Sequence, residues 1–272
     1  MIKKIGIILL AFLCFSFKTG DFDLIITLPI KGQSMFADHL GNFYFLDGDQ
    51  LLKYNEDFVL QNTYSNKLLG TISSVDVSDP LKILLFYKDF NEVVFVDNTL
   101  SVKSDAIKLV NLEIGMPTLA CTSYDNGMWV YDQSQFQILR LDKNLQVSST
   151  TGNLNQIPNI EGEIQPNFIV ERDGFVYMNS PLQGVFVFDK FGTYYKTISI
   201  KNLKNFQVLG ENIVCPLKGK LIIYNLKDFN ISVKVLPEET FDSFQIASKN
   251  LYLLKNNELK IYSSKPEIQK QK

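Results

Sequence analysis

One histidine, one tryptophan and three cysteines are all that the 272 residues contain of those types. A single imidazole excludes zinc sites built on two histidines and histidine-rich metal centres. No Gly-x-Ser-x-Gly elbow or matching triad is present to activate a nucleophile. Charge of one sign is also missing: the net charge is −2, so no basic field exists to hold nucleic acid. Sustained helical periodicity is absent. What is plentiful is 21 Phe and 12 Tyr, which favour strands over helices.

The first residues read as a targeting segment. Lys3 and Lys4 precede Ile5–Phe17, an apolar run of 13 residues. That is the charged start and apolar middle of an export signal, and it is short of the ~18 residues that suggest a membrane-spanning helix. Residues 1–19 are therefore expected to be a signal peptide. Cys14 is a candidate for lipidation, although Leu13 stands where a lipoprotein signal wants a small residue. Losing residues 1–18 removes Lys3, Lys4 and Lys18, leaving 24 basic against 29 acidic residues, a net of −5. Cys121 and Cys215 then remain. Both lie in apolar strand contexts and are expected to be buried thiols rather than a disulfide.

The body repeats. Short runs rich in β-branched and aromatic residues alternate with Gly, Asn, Asp and Lys turns. Ser34–Asp38, Asn42–Leu46, Gln50–Tyr54 and Phe58–Tyr64 form a first quartet of expected strands. In the second quartet the fourth strand is expected at Leu100–Ala106. A polar residue closes each third strand: Asn55, Asp97, Asp142, Asp189, Asn225 and Ser263. Its steps are 42, 45, 47, 36 and 38 residues. A period of ~40–50 built from four strands is the mark of a propeller blade. The sixth repeat has only three strands, while the unused strand Phe22–Leu28 precedes the first. These observations specify an all-β, six-bladed β-propeller of four-stranded blades. It should span residues 20–263, with the N-terminal strand closing the last blade. A polar tail, 264–272, follows.

Gly41-Asn42-Phe43-Tyr44-Phe45-Leu46-Asp47, followed by Gln50-Leu51-Leu52-Lys53-Tyr54-Asn55, resembles the repeat of six-bladed propellers of the NHL and TolB-like kind. Asp125–Asp132 and Asp173–Tyr177 are similar. Blades two and six lack the glycine before the second strand, and blade five has no aromatic after Gly210. The resemblance covers about Phe22 to Tyr262 and implies a fold; such motifs are blade framework and imply no activity.

Candidate site residues follow from loop geometry. Turns from second to third strands repeat a polar pattern: Asp47 with Gln50, Asp89 with Asn91, Asp132 with Gln135, Asn179 with Gln183. Such a ring suits a polar ligand, or each side chain can bond its own turn. The long connection Thr150–Gln165, with Asn159, lies on the same face, as do Leu68, Leu69, Ile114 and Met116, which would give it an apolar patch suited to a protein partner or else pack down as loop anchors. His39 falls in a turn on the opposite side. Asp76 and Glu171 on inner strands are candidate axial metal ligands for a hydrolase or lactonase. Tyr64, Tyr87, Tyr124 and Trp129 are candidate stacking surfaces for a glycan or small ligand.

The expected function is a non-catalytic protein-binding propeller of the cell envelope, with no cofactor and no bound metal. It is expected in the periplasm or at the outer membrane, as an accessory subunit of an assembly or secretion complex. The expected partner is another envelope protein. Membrane contact is expected only through an N-terminal lipid or that partner.

Overall fold

The computed structural model describes residues 20–264. The expected signal segment with Cys14, and residues 265–272, lie outside the described residues. Six four-stranded antiparallel sheets form the six blades of a propeller. Blade one comprises Ser34–Ala37, Phe43–Asp47, Gln50–Tyr54 and Leu60–Ser65. The strand Phe22–Pro29 pairs with Glu258–Ser264, from Phe22 opposite Ser264 to Pro29 opposite Glu258, and so supplies the fourth strand of blade six. Helix among the described residues is confined to three short 3-10 turns, Lys88–Phe90, Leu109–Leu112 and Leu154–Gln156. No described helix is long and apolar enough to cross a membrane.

The core is divided among six apolar clusters, one between each pair of neighbouring blades. Strand alternation explains why the middle strands are apolar throughout. In Ile83–Tyr87, Ile83, Leu85 and Tyr87 pack toward blade one, while Leu84 and Phe86 pack toward blade three. Every residue of that strand is buried, since both of its faces meet another sheet. Each such Leu or Phe contributes ~1.5–3 kcal/mol by leaving water. Outer strands splay apart and stay wet, as in Ile231–Val235.

The polar residue that sets the period has a definite task. Asp97, Asp142 and Asp189 each accept backbone N–H bonds at Oδ1 from the residues two and four positions on. Asn55 accepts from Val59 N in the same way. The chain then needs a left-handed residue three positions after the Asx, filled by Phe58, Leu100, Leu145 and Gly192. Three of these four are bulky residues at positive φ, a conformation that ordinarily favours glycine.

The structure departs from the sequence reading in blade two. The expected strand Leu100–Ala106 is reduced to a single bridge between Val96 and Val102, and the fourth strand is Ile107–Lys108. The Lys103 N–H still bonds Phe95 O while its Nζ reaches Leu81 O, and pairing with the third strand resumes only at Ile107 and Lys108.

Candidate functional site

Each blade presents turns on two opposite faces. One face carries the second-to-third turns together with the blade-to-blade crossings. On it, Asp132 is fully engaged by its own surroundings: its carboxylate accepts from Gly115 N, Met116 N, Ser134 N and Ser134 Oγ at 2.7–3.2 Å. Burial pushes its pKa up, but these four bonds outweigh that and hold it below the usual carboxylate value. Gln183 is buried and donates from Nε2 to Glu161 O and Glu163 O, while Ser180 Oγ donates to its Oε1. Asn179 donates to Asn167 Oδ1 and Leu203 O. Asn91 is left-handed and ends the 88–90 turn; its carbonyl accepts from Leu109 N at 2.9 Å.

Asp89, Gln50, Gln135 and Asn159 are exposed, and Asp47 is half-buried. Asp132, Asn179 and Gln183 thus fasten loops of blades three and four, while the exposed Gln135 stands apart with Gln50 and Asp89. The long connection 150–165 is anchored rather than loose. Leu154 and Ile164 are buried in the cluster between blades three and four, with Ile157 and Ile160 packed beside them. Ile114 is a buried loop anchor and Leu69 is half-buried, while Leu68 and Met116 face water. Phe90 and Val110 join them, two exposed residues the sequence did not single out. The loops carrying these four residues touch. An ideal Cβ on Gly70 would lie 3.8 Å from the Phe90 ring, and Leu109 bonds Asn91.

The opposite face carries the first-to-second turns. Here Asp76 and Glu171 meet inter-blade donors. Asp76 Oδ2 accepts from Thr122 N and Thr122 Oγ1 at 2.8 and 2.7 Å, and its Oδ1 accepts from Ser78 N and Ser78 Oγ. Glu171 accepts from Ser123 Oγ at 2.6 Å, Trp129 Nε1 at 2.5 Å and Tyr124 N at 3.3 Å. Arg172 donates to Ser78 Oγ, joining blade four to blade two across blade three. Arg140 donates to Ser123 Oγ, Ser148 Oγ and Tyr124 O, and lies 3.7 Å over the Tyr124 ring.

Beside this network opens a cavity of about 510 Å³, lined by Asp79, Lys82, Asp125, Arg172 and Asp173 among others. Burial, with Lys103 nearby, lowers the Lys82 pKa against the opposing pull of Asp79. Among the described residues no group of three His, Cys, Asp or Glu side chains is placed to hold a metal. Tyr87 and Tyr64 are buried in contact, hydroxyl to hydroxyl at 3.3 Å, and Trp129 is fully buried. Of the four candidate stacking aromatics only Tyr124 reaches the surface, with one side covered by Arg140. His39 lies exposed in its turn, and it does not line this cavity. Sequence reading missed Arg172, Ser78 and Arg140. The signal was the recurrence of polar residues at 76–78, 122–124 and 171–173, where each inner strand leaves the axis.

No family model and no curated protein matches the chain. Solved structures do. Virginiamycin B lyase from Staphylococcus aureus superposes with a TM-score of 0.60 at 9% identity, over 89% of this chain and 99% of that one. BamB from Moraxella catarrhalis gives 0.51 at 12%, over 89% and 99%. BBS1N, solved in complex with ARL6DN, gives 0.55 at 13%, over 84% and 76%. At such identities the likeness shows the fold. The protein is a six-bladed β-propeller, and its fold neighbours include both an enzyme and a protein bound to a partner protein.

Proposed function

We propose that the protein is an exported, non-catalytic β-propeller that binds another protein of the cell envelope through its crossing-loop face. The observation that carries this reading is the group Leu68, Phe90, Val110 and Met116. They are 86%, 52%, 63% and 52% exposed on loops that are themselves fastened down. Apolar side chains held in water by a rigid support mark a protein contact better than a chemical site. The chemistry-bearing carboxylates point the same way. Asp76 and Glu171 are occupied by three or four donors each and tie blades together. This weakens the hydrolase or lactonase alternative, which needs their oxygens open. BBS1N, in complex with ARL6DN, is an instance of this architecture with a protein partner. A role as accessory subunit of an outer-membrane assembly or secretion complex fits an exported binding platform.

The test is affinity capture of the full chain from envelope extracts, beside a Leu68→Asp/Met116→Asp variant. A stoichiometric partner held by the parent and lost by the variant supports the reading. No stoichiometric partner, or equal capture by both, sinks it. A second reading, a small polar ligand, is favoured by the cavity of about 510 Å³ around Lys82, Arg172 and Asp173. A glycan panel that raises the melting temperature of the parent but not of Asp173→Ala would establish it.

A further inference from the structure

The outer rim of the propeller is unevenly apolar. Nine exposed large hydrophobic residues lie on the outer strands and adjoining turns of blades four to six, against four on blades one to three. They include Tyr195 on blade four, Ile231, Val233 and Val235 on blade five, and Leu24, Ile25 and Ile26 on blade six. They form one stripe. Lys196 spans blades four and five, with its ammonium 5.5 Å from the Tyr195 ring and 4.4 Å from the Phe229 ring. Blades five and six join through Val235 N, which donates to Asp21 Oδ2 at 2.6 Å, and Lys234 Nζ, which donates to Ser264 Oγ at 2.9 Å.

The chain enters the fold inside this stripe. Gly20 and Asp21 sit where the rim of blade five meets the closing strand. The residues before them include Cys14, the candidate for lipidation. Cys14 and Phe22 are eight residues apart, a reach of roughly 28 Å when extended. Lipid held by the N-terminal segment would therefore hold the stripe close to its surface.

We infer that the rim of blades four to six lies against a lipid bilayer, setting the propeller edge-on with both loop faces open to the side. On blade six, strand addition by a protein partner is disfavoured by the closing strand itself. Its register shifts between Leu24 and Ile26, within the exposed run Asp23–Thr27, and Pro29 ends it. Bulges and prolines of this kind block edge pairing. Aliphatic side chains flanked by Tyr195, Phe229 and Lys196 suit the boundary between acyl chains and headgroups. One apolar anchor holds a protein to a membrane weakly, and a second contact makes it stable. The rim supplies that second contact. Because the mature chain is mildly acidic, the contact is apolar and needs no anionic lipid.

The experiment uses the full chain in phosphatidylcholine vesicles. Labelling by a membrane-impermeant maleimide is read site by site by mass spectrometry in Ile26→Cys, Val233→Cys, Tyr195→Cys and Val102→Cys. The first three should lose about tenfold in labelling rate when vesicles are added, while Val102→Cys on blade two is unchanged. Adding Ile26→Lys and Val233→Lys should abolish the protection at Tyr195→Cys. All of these positions are exposed, so the fold tolerates the changes. Equal labelling with and without vesicles overturns the proposal. So does protection that grows with protein concentration in the absence of lipid, which would mean a second copy. Protection only after lipid-free envelope protein is added also overturns it, and would mean a protein partner.

Discussion

Asp132 lies in the first candidate set read from the sequence, and its surroundings give it a structural task. A buried carboxylate that accepts four bonds holds Gly115 and Met116 in place, and so orients one of the residues in the proposed contact. Asp132→Ala should cost ~1–3 kcal/mol in denaturant titration, because it leaves those donors without a partner. Against the opposing push of burial, those bonds hold its carboxyl below the ordinary aspartate value in the fold. A depressed value stabilises the native state above the unfolded pKa and loses that stabilisation as pH falls through the folded one. Protection of the Gly115 and Met116 amides, taken as exchange relative to the intrinsic rate at each pH, should therefore fall below about pH 4 and hold between about pH 5 and 8. The thiols give a second residue-level expectation. Burial raises the Cys215 pKa to about 12, and raises Cys121 well above the ordinary value. They lie in different inter-blade clusters, free and buried. Thiol reagents should leave both unmodified in the native protein and modify both in denaturant.

Among the elements, the turns after the third strands were legible because one side chain dictates them. An Asp or Asn at the strand end closes its own turn, so the period shows in the sequence. Blade two's fourth strand was not legible, because nothing local says that pairing lapses after Lys103 and resumes only at Ile107 and Lys108. Clamps between blades were equally hidden. Glu171 bonds residues 42–48 positions away, a distance no local pattern encodes. Glu171→Ala should lower stability by ~1–3 kcal/mol by calorimetry, since Trp129 Nε1 is left buried without an acceptor. Gly184 makes a sharper test. At φ +116 its ideal Cβ would lie 2.3 Å from Ile198 O, a backbone atom that cannot swing aside. Gly184→Ala should therefore cost more than ~1 kcal/mol and lower the melting temperature, whereas Gly152→Ala has open space around its Cβ and meets only backbone strain.

Across the whole molecule, the decisive contact joins the two ends of the described chain. Phe22–Pro29 and Glu258–Ser264 pair over their full lengths, and Phe22 and Tyr262 enter the cluster between blades five and six. Without that strand, blade six presents an unpaired edge. Deleting residues 22–29 should broaden the thermal transition, lower its midpoint and increase the radius of gyration in solution scattering. An unchanged, single sharp transition would show that closure contributes nothing to cooperativity.

By itself the sequence determined the number of blades, the strand order within them and the closing strand. These follow from local alternation and from turn residues that act within a few positions of themselves. It also named several polar residues of the two faces, but not their tasks. Only the tertiary structure decided that Asp76 and Glu171 are clamps, that Ile114 is buried while Met116 is not, and that the apolar rim gathers on blades four to six. Those outcomes depend on which blades become neighbours in the closed ring. Burial and hydrogen bonding there are set by residues tens of positions apart.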